Sequence, residues 1–241
     1  MNGYFYAIGG ANYDKNESLI IDLDIIKETK KVNPILLYIA VAQNDDINKI
    51  NTFKKYYESL GVIVNVLYTY NVKLNTNVIF DAINCSDIIY FSGGVTSRII
   101  EFAMKYSIQE MLKNAYINGK IIVGVSAGAI MLFEYGYGDK DAYVYNLETV
   151  NHHITNGLGI CEGVFCPHYQ NNGLLAFNDV IKEYPCDGYA LENGTALKIN
   201  ADGFKVIKSK GCSAFRFLKD KNYHLEYLKQ DVLYTGDLYK N

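Results

Sequence analysis

The chain has 241 residues, 49% of them hydrophobic, with 23 Lys and Arg against 26 Asp and Glu and a formal net charge of −3. That length and apolar share can bury a large core, so one α/β domain over residues 1–241 is the expectation. The lack of a basic excess argues against a general nucleic-acid binder, and no apolar run approaches the roughly 18 residues of a membrane span.

Five cysteines, Cys85, Cys161, Cys166, Cys186 and Cys212, are an odd number with no Cys-x-x-Cys pair. That suits free thiols in a reducing, cytoplasmic setting. The start, "MNGYFYAIGGANYD", lacks a basic n-region and reads as a first strand rather than a signal peptide.

"YFYAIGG" (Tyr4–Gly10) is a strand candidate, followed by a helical pattern with Leu19, Leu23 and Ile26. "PILLYIAVA" (Pro34–Ala42) is a near-continuous apolar run, as a strand buried on both faces requires. A helix near Ile47–Leu60, a strand at Val62–Tyr68, a strand at Asp87–Gly94 and a long helix near Ser97–Asn118 follow, before the strand "KIIVGVS". Repeated βα units predict a mostly parallel central sheet with helices on both faces. The second half changes character. A helix around Leu174–Tyr184 precedes short strand candidates, "GYAL", "TALKI", "FKVI", "SAFRF" and "YHLEYL", expected as mixed or antiparallel additions at one sheet edge.

The chemistry concentrates in "GVSAG", where Gly124 and Gly128 flank Ser126 in a G-x-S-x-G pattern. A sharp strand-to-helix turn strains its central residue and crowds its neighbours, so only tiny side chains fit two positions either side. Such a turn exposes the serine hydroxyl at the carboxyl end of a strand, where open α/β sheets bind ligands. The helix beginning at Ala127 aims backbone N–H groups at the same spot. A nucleophilic serine needs a base. Of His152, His153, His168 and His224, the best placed is His168, which follows an apolar run and Pro167. His152-His153 reads as a solvated loop and His224 as a sheet histidine. A base needs an orienting acid, for which Glu192, in a turn between two strand candidates, is the candidate.

Together these segments resemble the dipeptidase E and cyanophycinase family of serine peptidases, whose fold is like that of class I glutamine amidotransferases. The resemblance rests on the Gly-Gly after the first strand, "FSGGVTSRI", "GVSAGAI", "GLGICEGVFCPHY" and "GYALENGTALKI". It implies a Ser-His-Glu triad of Ser126, His168 and Glu192, and an oxyanion hole from the N–H groups of Gly94 and Ala127. It implies a small peptide substrate entering by its free N-terminus; no cofactor or metal is expected, charge and hydropathy give no nucleic-acid or membrane partner, and a homodimer is compatible with these readings. Where members usually read Gly-Gly-Asn-Thr, this chain reads Gly93-Gly94-Val95-Thr96. Members that cleave after an N-terminal aspartate also place an arginine soon after the histidine, and none occurs here. Arg98, with Thr96 and Val95, is therefore the candidate substrate-binding group, and Lys182 a second cation.

Two other readings stay open on the residues alone. An α/β-hydrolase-type esterase would use Ser126, Glu192 and His224. A non-catalytic binding module would keep the fold without the reaction.

Overall fold

A computed structural model describes residues 2–70, 72–139, 152–170, 175–220, 224–236 and 238–240. Five strands of its first half, β1 (Tyr4–Ile8), β2 (Ile35–Ile39), β3 (Ile63–Leu67), β4 (Ile88–Phe91) and β5 (Ile121–Val125), run parallel in the order β3-β2-β4-β5-β1. β4 and β5 are buried along their whole length, which is why their sequences are unbroken apolar runs. Side chains alternate between the two sheet faces. Tyr6, Ile8, Tyr38, Tyr90 and Val123 pack against α1 (Leu19–Glu28) and α2 (Ile47–Ser59). Phe5, Leu37, Phe91 and Ile122 pack against α3 (Thr76–Asn84), α4 (Thr96–Lys105) and α5 (Ile108–Ile117). The expected α/β architecture, a mostly parallel sheet with helices on both faces, is what the chain forms.

Two parts of the helical reading change. The long helix near Ser97–Asn118 is two helices, broken beside Ser107, whose φ is 55°. At 100° per residue, Ile108 in an unbroken helix would sit opposite Ile99; the break lets both face one core. The helix around Leu174–Tyr184 is reduced to Phe177–Val180 and a 3-10 turn at Ile181–Glu183, while residues 171–174 lie outside the described set.

The C-terminal strands also differ from the expectation of additions at one edge. Only β10 (Thr195–Asn200) and β11 (Gly203–Lys208) extend the central sheet, antiparallel, beyond β1. β6 (Phe133–Asp139), β7 (His152–Asn156), β8 (Cys161–Cys166), β9 (Gly188–Leu191), β12 (Ala214–Leu218) and β13 (His224–Tyr227) form a second six-stranded sheet, ordered β13-β12-β9-β8-β6-β7. Phe133, Phe165, Tyr189 and Leu191 bind it to the first through a shared core with Phe5, Phe91 and Ile122. His152-His153, expected on a loop, begins β7 against β6. Cys161 and Cys166 are buried at opposite ends of β8. Five residues at about 3.3 Å each exceed any disulfide span, and burial pushes both thiols up, away from the reactive thiolate. Among the described residues no helix is long and apolar enough to cross a membrane.

Beneath α1 and α2 lies a buried carboxylate. Asp22 accepts hydrogen bonds from Ser18 Oγ (2.8 Å), Tyr56 OH (2.8 Å) and Tyr57 OH (2.5 Å). Loss of hydration outweighs these donors and pushes its pKa up to about 6. The unfolded value is about 3.9, so the folded state binds the proton more tightly. Its stabilising effect is full below pH ~4 and is lost as pH rises through about 6. Asp22→Asn, which cannot ionise, should therefore gain stability relative to wild type by on the order of 2–3 kcal/mol between pH 4 and 7. Denaturant unfolding of both proteins at each pH measures this, and a constant difference would contradict it.

Candidate active site

β1 and β5 are neighbours, and their connections leave on opposite faces: α1 packs on one, and α6 (Ala127–Leu132) on the other. A crevice opens beyond the carboxyl ends of such a strand pair. Ser126 stands there, between β5 and α6, with φ 53° and ψ −111°, a conformation strained for a side-chain-bearing residue. Its N–H donates to Ile8 O at 2.9 Å. A Cβ on Gly124 would overlap the Gly128 carbonyl, and one on Gly128 would come within 2.5 Å of Phe91 O. The close approach expected of the G-x-S-x-G turn is thus what fixes both glycines.

His168 follows β8 and the buried Pro167, with φ 53°. Its main-chain N–H donates to Gly9 O at 3.2 Å. Its Nε2 lies 2.8 Å from Ser126 Oγ, and its Nδ1 lies 2.6 Å from Asn193 Oδ1. An amide oxygen can only accept, so Nδ1 carries the proton and Nε2 is left to accept from the serine hydroxyl.

Asn193 lies in the turn that takes the chain from β9 in one sheet to β10 in the other. Its N–H donates to Gln170 Oε1 at 3.1 Å, and Gly194 N–H donates to Gly10 O at 2.9 Å. Gly10 backs the pair. A Cβ there would overlap Asn193 Oδ1 and lie 2.7 Å from His168 Nδ1 and Cε1.

Glu192, expected as the orienting acid, does not meet the imidazole. Its Oε2 accepts from Ser213 N–H at 2.7 Å instead. The turn after β9 thus brings the Asn193 side chain, and not that of Glu192, to His168. No local pattern within "ENG" marks Asn193, and the expectation of a charge pointed to the residue before it.

Gly93 sits directly beside the nucleophile, since a Cβ there would lie 3.2 Å from Ser126 Cβ. Among the described residues neither the Gly94 nor the Ala127 N–H is hydrogen-bonded. Val95 and Thr96 are 4% and 6% exposed, which leaves their side chains little surface to offer a ligand. Arg98 lines a groove of about 280 Å³ with Val41, Asn44, Tyr70, Phe102 and Lys105, at the carboxyl end of β2 and β3. Neither Ser126 nor His168 lines that groove. Lys182 is paired with Asp179.

Comparison with known proteins decides what this arrangement belongs to. The sequence profile of peptidase family S51 matches residues 5–207. The chain belongs to this family. It is similar to the uncharacterized peptidase YgaJ of Bacillus subtilis (strain 168), 28% identical over 236 residues, which span 95% of this chain and 98% of that one. Its fold resembles a peptidase from an acI-B1 Actinobacterium, with a TM-score of 0.73 at 16% identity and 98% of each chain covered. It also resembles a "Putative Peptidase E Protein" from Listeria monocytogenes EGD-e, with a TM-score of 0.64 at 18% identity, over 87% of this chain and 100% of that one.

S51 is the dipeptidase E family that the sequence resembles, and the chain is accordingly a serine peptidase. The esterase constellation is not assembled in this S51 peptidase. His224 is exposed on β13 and hydrogen-bonds Asp220, while His168 holds the place beside Ser126. Gly10→Ala in the S51 chain should push Asn193 and His168 apart. A misplacement of about 1 Å can cost roughly 10²-fold in kcat. Steady-state kinetics with a melting curve tests this: a folded variant with wild-type kcat would refute the packing argument.

Proposed function

We propose that the chain hydrolyses small peptides, as an exopeptidase or dipeptidase, through an acyl-enzyme on Ser126. The observation that carries the reading is the 2.8 Å approach of His168 Nε2 to Ser126 Oγ at a strained elbow beside Gly93-Gly94. His168 removes the hydroxyl proton as Oγ attacks the acyl carbonyl, and returns it to the leaving amine. The N–H groups of Gly94 and Ala127 receive the charge that develops on the carbonyl oxygen. Water activated by the same imidazole then releases the acyl group. Ser126→Ala should abolish fluorophosphonate labelling and lower kcat by roughly 10⁶, and His168→Ala should cost nearly as much, because the pair acts as a unit. Turnover by Ser126→Ala at the wild-type rate would overturn the reading.

For the substrate side chain, the cation that supports a reading is Arg98. This half-buried guanidinium has no ion-pair partner among the described residues, and its groove also holds Lys105 and the carboxylate of Glu101. An acidic residue, as in Asp-X dipeptides, would pair with Arg98 in a rigid, bidentate contact. Arg98→Met should then depress kcat/KM for Asp-X peptides roughly 30-fold or more, corresponding to about 2 kcal/mol, and spare neutral peptides. Equal loss on both substrate classes would refute the acidic preference.

A further inference from the structure

Resting on the roles proposed for Ser126 and His168, we propose that Asn193, an uncharged amide, is the positioning residue for His168 in the place where a carboxylate was expected. Three observations support it. Asn193 Oδ1, 2.6 Å away, is the acceptor at His168 Nδ1. The adjacent carboxylate is committed elsewhere, to Ser213 N–H at 2.7 Å. The amide is also held before any substrate arrives. The main-chain N–H of Asn193 donates to Gln170 Oε1, the next residue's N–H donates to Gly10 O, and Gly10 leaves no room behind the side chain.

The chemistry of an amide differs from that of a carboxylate in one respect. Both accept the Nδ1 proton, both fix the tautomer that leaves the Nε2 lone pair toward Ser126, and neither need take the proton. The carboxylate adds a full negative charge that favours the protonated ring; the amide offers only a dipole. The imidazole of this chain is therefore held by the position of one acceptor, with no carboxylate at its Nδ1. Loss of a triad carboxylate elsewhere is severe because the replacing amide turns an N–H to the ring and selects the wrong tautomer. Here the oxygen faces the ring, so the amide is compatible with turnover.

The test uses the full chain and a peptide that wild type cleaves and Ser126→Ala does not. Asn193→Ala should lower kcat by roughly 10²-fold while KM changes little, because a ring free to turn is misplaced for proton transfer. In ¹⁵N-histidine-labelled protein its His168 should lose the single Nδ1–H tautomer seen in wild type. Asn193→Asp keeps the shape and supplies the charge, so the acidic limb of its kcat/KM–pH profile should move up by about 1–3 units. Glu192→Gln should leave both kcat and the limb in place. A loss on the order of 10⁴ in Glu192→Gln, with Asn193→Ala unaffected, would overturn the proposal. So would an unmoved limb in Asn193→Asp. Absence of fluorophosphonate labelling at Ser126 in wild type would instead refute the serine reading, which separates the two failures.

Discussion

Three successive carbonyls at the end of β1 hold the site together. Ile8 O accepts from Ser126 N–H, Gly9 O from His168 N–H, and Gly10 O from Gly194 N–H, at 2.9, 3.2 and 2.9 Å. Ser126, His168 and the Asn193 turn come from three distant parts of the chain and from two sheets. Each is registered against the same three residues. Side chains at this convergence would prevent it: a Cβ on Gly9 would lie 2.5 Å from Glu192 O, and one on Gly10 would overlap Asn193. The Gly-Gly that ends the first strand is thus a spacing device for the whole site.

This arrangement also supports the strain that the chemistry uses. Ser126 and His168 both have φ of 53°, at a cost of order 1–3 kcal/mol for each residue. Such conformations persist only where the surroundings over-determine them. Each of the two has its amide tied to β1, and Ser126 also starts a helix packed beneath Phe91 and Phe133. The half-buried hydroxyl is consequently mounted on buried, close-packed elements, with Val125 at 7% and Ala127 at 1% exposure on either side. Rigid support from regular elements keeps a reacting pair within hydrogen-bond reach better than a free loop would.

The sequence made the parallel sheet legible because buried strands have no alternative pattern to show: β4 and β5 are apolar at every position. The elbow was equally plain, since few other reasons exist for small residues at Gly124, Ala127 and Gly128 around one serine. The break at Ser107 was not, because α4 and α5 each carry a helical apolar stripe and only their phase relation separates them. Nor was the second sheet. Short strands of four to six residues such as β8, β9 and β12 show which face is apolar but not which partner they pair with, and that is a long-range choice. At the site, Ser126 and His168 were readable as a pair from local turn chemistry, and they lie 2.8 Å apart. The residue behind the base was not, because it depends on which way one side chain of a three-residue turn points.

The electrostatics around that turn give a reason for an amide at position 193. Glu17 and Glu192 both bear on Cys212, whose thiol is pushed up by burial first and then by these two carboxylates. Glu17 Oε2 is itself buried with no hydrogen-bond partner among the described residues. Gly194, next to Asn193, lies near Cys212: a Cβ on it would meet the main-chain carbonyl oxygen of Glu17 at 3.0 Å and Cys212 Sγ at 3.4 Å. A carboxylate at position 193 would add a third acidic side chain, directly after Glu192 in sequence, and so add to like-charge repulsion at the turn. The amide removes that conflict. It keeps an acceptor 2.6 Å from the ring while adding no charge to a region that already holds two acidic side chains, one of them unpaired at a buried oxygen. Geometry and charge, usually supplied to a catalytic histidine by one group, are thereby separated, and in this chain only the geometry is retained.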